Sequence, residues 1–131
     1  MDSNDLLNDL VRALAELEDA LLLPAENDVI KAGCIQYFEF TFELAWKTVK
    51  RFAEDEGISD CNSPKAALKA AFASGWINEE EVWLDMLSSR NKMSHTYSAS
   101  SALQIFDKLS GYANVLKKLT TRFLDMKKSD S

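Results

Sequence analysis

Leucine recurs along the first stretch of the chain at Leu7, Leu10, Leu14, Leu17 and Leu21, in alternating steps of three and four. That spacing predicts an amphipathic helix from about Asn4 to Leu23, with one seam for packing against other helices. Pro24 closes it, and the polar Glu26-Asn27-Asp28 caps the next helix. That second helix is expected from about Asp28 to Glu56, with Gly57 as its C-terminal stop. Its seam is Ile35, Phe38, Phe42, Ala45, Val49 and Phe52. Tyr37, Thr41, Leu44, Trp46 and Thr48 widen the arc to over half the helix, which predicts burial on two sides. The remaining narrow face carries Gln36, Glu39, Glu43, Lys47, Lys50 and Glu54. It reads as a solvated stripe, with Glu43 and Lys47 one turn apart as an exposed ion pair.

After a polar linker, Ser63-Pro64 is a strong helix start, and Gly75 ends a short third helix near Ser74. Asn78 with Glu81 has the spacing of a capping box for a fourth helix. Val82, Trp83, Met86, Leu87 and Met93 share one face of that helix, and winding at about 100° per residue puts Arg90 in the middle of it. An arginine in such a place needs a carboxylate, a carbonyl or a phosphate, because an unpaired buried charge costs several kcal/mol. Ser98-Ala99-Ser100-Ser101 restarts the chain after a break near His95 to Tyr97. The last helix, from about Ser100 to Lys127, carries Ile105, Leu109, Tyr112, Leu116, Leu119, Phe123 and Met126 on one seam. The fold predicted is all-α: an up-and-down four-helix bundle with one additional short helix, as a single domain over residues 1–131. No glycine-rich phosphate loop is present, so the chain is not expected to hold a nucleoside triphosphate in the usual way.

Charge narrows the functions open to it. Fifteen basic against twenty-one acidic residues give a net charge of −6, which is not the global basic surface of a free-standing nucleic-acid binder. Cys34 and Cys61 have no metal-ligand spacing, and there is one histidine, so neither a metal nor a cofactor is expected. Two lone cysteines, a polar N-terminus without a signal peptide and no membrane-length apolar run together predict a cytoplasmic protein.

The candidate chemistry lies between the fourth helix and the last, in Ser89-Arg90-Asn91-Lys92-Met93-Ser94-His95-Thr96-Tyr97. Arginine clamps phosphate through two N–H groups and stabilises its transition-state charge. Histidine takes a proton from a ribose 2′-hydroxyl or returns one to the leaving 5′-oxygen, and neither step needs a metal. One copy supplies one histidine, whereas such cleavage is helped by a separate base and acid. A symmetric dimer would supply both, and the wide arc of the second helix is compatible with one.

The motif does not stand alone. Phe38-Glu39-Phe40-Thr41-Phe42-Glu43-Leu44-Ala45-Trp46-Lys47, then Ser63-Pro64, Ala73-Ser74-Gly75-Trp76-Ile77, Trp83-Leu84-Asp85-Met86-Leu87, and finally Arg90-Asn91 and His95-Thr96-Tyr97 form an ordered set. It resembles the bacterial nucleotidyltransferase substrate-binding proteins, a HepT-like branch of the HEPN superfamily with an R-x4-H-x-Y motif. The resemblance implies a dimerising helical bundle working beside a minimal nucleotidyltransferase. It further implies a metal-independent ribonuclease site of Arg90 and His95 with Asn91 as a polar helper. The partner would transfer AMP to Tyr97 and so inactivate the toxin. Glu39 and Glu43 match the second-helix signature, and one of them is expected to orient Arg90 or His95. A different function is also compatible with the family: a non-catalytic subunit that presents a substrate to the nucleotidyltransferase.

Overall fold

A computed structural model describes residues 1–93 and 99–129 of the chain. Its elements are α1 (Ser3–Leu21), α2 (Asp28–Asp55), α3 (Pro64–Ala73), α4 (Glu80–Met93), α5 (Ala99–Leu103), a 3-10 turn (Gln104–Lys108) and α6 (Leu109–Ser129). Among the described residues there is no strand, in agreement with the all-α bundle that the spacing predicts. The buried apolar side chains form one continuous cluster.

Local chemistry sets the ends. The Asp5 amide donates to Asp2 Oδ1 at 2.9 Å and the Asp2 amide donates back to Asp5 Oδ2 at 3.4 Å, so α1 opens on a reciprocal cap. Asn27 caps α2 through the Ile30 amide at 3.0 Å, and Ser63 caps α3 through the Ala66 amide at 3.2 Å. Gly57 and Gly75 have φ of 79° and 75°, the left-handed conformation that glycine adopts without a Cβ clash. Each closes its helix with the same kind of bond: Ile58 N–H to the Ala53 carbonyl at 2.8 Å, and Trp76 N–H to the Ala71 carbonyl at 2.9 Å.

α2 is the central element and packs against α1, α3, α5 and α6. Leu10, Leu14 and Leu17 of α1 meet Phe38, Phe42 and Val49 of α2 and Leu116, Leu119 and Phe123 of α6 in the core. At one end Phe52 stacks on Phe123 with ring centroids 3.9 Å apart, and Trp76 closes edge-on against Phe123 at 5.4 Å. Thr41 and Thr48 are fully buried, because each hydroxyl donates to its own helix, to the Tyr37 carbonyl at 2.7 Å and the Leu44 carbonyl at 2.6 Å.

Two boundaries differ from expectation. α4 begins at Glu80, and the Glu79 carbonyl accepts from both Val82 and Trp83, so the helix starts one residue after the place Asn78 marks. The last helix is not continuous, because Gln104–Lys108 winds as a 3-10 turn between α5 and α6. That turn advances about 120° per residue where an α-helix advances about 100°. The seam drawn straight through Ile105 and Leu109 is therefore offset there.

Candidate active site

α4 is anchored most firmly in its first half, with Leu87 and Met93 of the second half only partly buried against the core. Trp83 and Met86 are buried, and beyond Met86 the one buried side chain is Ser89. Arg90 lies at the margin of that face and not at its centre, with about a third of its side chain exposed. The centre falls near Met86, because the serine at 89 turns the buried arc away from Arg90.

From this margin Arg90 Nε donates to Glu43 Oε1 of α2 at 2.7 Å, and Nη1 donates to Asn91 Oδ1 at 3.0 Å. The other Glu43 oxygen, Oε2, accepts from the Trp46 indole N–H at 2.9 Å. Glu43 is thus held at both oxygens and aimed at Arg90. The expected Glu43–Lys47 pair is replaced by this arrangement, and the stripe is not uniformly solvated: the Glu43 side chain is 31% exposed. A charge-assisted bond to guanidinium is stronger than a surface pair to lysine, which decides the competition.

Glu39 lies one turn before Glu43. Its carboxyl is pushed above the usual carboxylate range by burial and then by the Glu43 charge, with Arg90 opposing both. Glu39, Gln36 and Ile35 of α2, Met93 of α4 and Leu103 of α5 line a cleft of about 440 Å³. The structure therefore gathers Arg90, Asn91, Glu43 and Glu39 at one place. His95 and Tyr97 lie outside the described residues.

A second polar group is one that the spacing did not single out. Buried Tyr112 of α6 donates its hydroxyl to Asp85 Oδ2, so the Ser89 hydroxyl, 2.8 Å away, must donate to Tyr112. Lys108 reaches Asp85 Oδ2 at 3.2 Å from the 3-10 turn. Burial, and then the Asp85 bond, push the Tyr112 phenol well above its ordinary range. The Tyr112 bond, with Lys108 behind it, holds Asp85 below the ordinary carboxylate range against the pull of its partial burial. The available signal was Tyr112 itself, a hydroxyl set in an otherwise apolar seam.

Tyr112→Phe should cost about 1–2 kcal/mol in urea unfolding, in the lower part of the range for bonds to charged groups, because Asp85 is 45% exposed. The sign of the pH effect follows from the depressed Asp85 value. Its contribution is present above the unfolded pKa, near 3.9, and is lost as pH falls from there through the lower native value. The stability gap between wild type and Tyr112→Phe should narrow over that acid interval; a gap unchanged there would remove the Asp85 linkage.

The family model for "Nucleotidyltransferase substrate binding protein like" matches residues 5–125. A Haemophilus influenzae protein named "Probable ribonuclease HepT" is 30% identical over 90 residues, 66% of this chain. The match spans 62% of the length of that relative. A crystal structure from Thermus thermophilus superposes with a TM-score of 0.77 at 32% identity, covering 86% of this chain and 97% of the other. A Haemophilus influenzae structure, described as revealing the fold of a substrate binding domain of a nucleotidyltransferase, gives 0.76 at 27% identity over 88% of this chain and 97% of the other.

Proposed function

Because this chain belongs to the nucleotidyltransferase substrate-binding protein family, we propose that it is the HEPN-type half of a toxin–antitoxin pair whose other half is a minimal nucleotidyltransferase. In this reading it is a cytoplasmic homodimer that cleaves RNA without a metal ion. The observation that carries the reading is the Arg90–Glu43–Trp46 arrangement. It fixes a permanently charged guanidinium five residues before the motif's histidine, one helical turn along α2 from the cleft-lining Glu39.

Guanidinium has five N–H donors, and the bonds to Glu43 and Asn91 use two. The far edge of the same plane is the part that grips a phosphate. His95 takes the ribose 2′-hydroxyl proton while the 2′-oxygen attacks phosphorus and the bond to the 5′-oxygen breaks. The 5′-oxygen then receives a proton, and Arg90 stabilises the extra charge on the phosphorane oxygens in between. Asn91 holds the guanidinium plane from the solvent side.

The nucleotidyltransferase ends this activity by modification. The Tyr97 phenol oxygen attacks the α-phosphorus of ATP, a Tyr97–AMP bond forms and pyrophosphate leaves. A phosphodiester two residues from His95 then repels the RNA backbone and blocks the cleft. Tyr112 is an unsuitable acceptor, since its hydroxyl is buried and bonded to Asp85, whereas Tyr37 is 39% exposed and is the control.

The net charge of −6 favours a second reading, in which the chain binds and presents a substrate to the nucleotidyltransferase and cuts nothing. Purified wild type and His95→Ala, each with RNA in excess chelator, separate the two. Cleavage by wild type alone supports the ribonuclease. Equal inertness, with no growth arrest on induction, leaves the substrate-binding role. Incubation with the partner, ATP and magnesium should add one AMP in wild type and Tyr37→Phe but none in Tyr97→Phe. An adduct surviving in Tyr97→Phe would overturn the modification site.

A further inference from the structure

The end of α4 away from Arg90 borders a second cavity, of about 310 Å³, between the loop 75–79 and α6. Trp83 forms part of its wall and is 1% exposed. Among the described residues nothing accepts from the Trp83 indole N–H, yet the one fully enclosed side-chain polar atom without a partner there is Arg51 Nε. The Trp83 N–H is therefore not sealed inside the core. It opens on the cavity, and its acceptor has to come from outside the chain. Asn78 lines the same cavity. Its amide, which the spacing assigns to capping α4, makes no hydrogen bond among the described residues and is equally unused.

Four charged side chains line this cavity, and they are not equivalent. Lys118 of α6 is paired with Glu79. Arg122 and Asp125, three residues apart on α6, have neither an ion pair nor a hydrogen bond among the described residues. Arg51 and Glu54 have the same order and spacing on α2 and do meet, at 3.9 Å. The cavity thus presents a free cation and a free anion side by side, about 4.5 Å apart along the helix axis. A simple anion drawn to Arg122 would be repelled by Asp125, and a simple cation drawn to Asp125 would be repelled by Arg122. A molecule that carries both charges satisfies both.

We propose that this cavity binds a free α-amino acid, its carboxylate on Arg122 and its ammonium on Asp125. The two charges of an α-amino acid hang on one carbon atom, so neighbours one helical turn apart can reach both. Guanidinium grips a carboxylate through two parallel N–H bonds, and a carboxylate accepts from ammonium. The unused donors of Trp83 and Asn78 are left for the side chain, so a polar side chain is preferred to an apolar one of the same size. A cavity of this volume is at the small end of ligand sites, which suits a single amino acid. Trp83 stands two turns along α4 from Arg90, so the site is separate from the Arg90–Glu43 pair and depends on neither RNA cleavage nor dimerisation.

The test is a nuclear magnetic resonance titration of the ¹⁵N-labelled protein with each of the twenty L-amino acids, up to about 10 mM, reading the Trp83 indole signal. At least one polar amino acid should shift that signal and saturate it. Its N-acetyl form lacks the ammonium and its amide form lacks the carboxylate, and each should bind about ten-fold more weakly or worse. Arg122→Gln and Asp125→Asn should do the same to the unmodified amino acid, with circular dichroism unchanged because both positions are exposed. A Trp83 signal that no amino acid moves would overturn the site. An N-acetyl form that binds as well as the free amino acid, unchanged affinity in either variant, or a preference for apolar side chains would each overturn it too.

Discussion

Under the ribonuclease reading proposed above, Arg90→Lys should lower the metal-independent cleavage rate by roughly 10²–10³-fold while RNA binding weakens far less, the pattern of a group that acts mainly in the transition state. Lysine keeps the charge but loses the geometry. Arg90 meets Glu43 through Nε at 2.7 Å and Asn91 through Nη1 at 3.0 Å, so two edges of one rigid plane are fixed before any phosphate arrives. A lysine ammonium replaces that plane with a rotating point charge. Single-turnover rates and filter binding on the same RNA separate the two effects. Equal loss in both would make Arg90 a general phosphate contact, and full activity would exclude it from the reaction. Glu43→Gln is the companion variant, since it keeps an acceptor for the Trp46 indole but removes the charge that holds the guanidinium.

Phe38→Ala should destabilise the folded chain by about 3–5 kcal/mol, measured by urea unfolding, and lower its melting temperature accordingly. Phe38 is fully buried on α2, with the Phe42 ring at 6.1 Å and the Tyr112 ring at 5.0 Å. Alanine there removes most of a benzyl group from a packed interior, and the neighbours are aromatic plates that relax poorly into the space. The loss also takes away the support behind Tyr112, so it should couple to Tyr112→Phe in a double-mutant cycle. Leu124→Ala, on the 41%-exposed surface of α6, is the control and should stay within about 1 kcal/mol. Phe38→Ala falling in that same small range would show that the core around α2 closes over the gap.

The helices were legible because their signals are local. Caps at Asn27 and Ser63 and the left-handed glycines at 57 and 75 each rest on a few neighbouring residues, and the structure uses them as the pattern predicts. The 3-10 turn was not legible, since Ile105 and Leu109 fit a continuous helical seam equally well. Site geometry divided in the same way. That Arg90 needs an anion followed from its helix face, and the resemblance pointed to Glu39 or Glu43, but the choice between them joins residues 47 apart in sequence. Spacing along α2 pointed equally well to Lys47. The Asp85–Tyr112–Ser89 chain was missed for the same reason, because Tyr112 lies 23 residues from Ser89 and 27 from Asp85, and they become partners only when α4 meets α6.

The half of α4 that bears Arg90 is tied down by side-chain hydrogen bonds and by the partly buried Leu87 and Met93, with no fully buried apolar side chain. Such ties fix direction well but contribute little to the total stability, most of which lies in the α1–α2–α6 core. Amide protons near residues 87–93 should therefore exchange through local opening, well before the bundle unfolds as a whole. Evolution meets the same separation. Changing one polar partner can alter the site while the scaffold persists, so the same bundle can carry different chemistry or none.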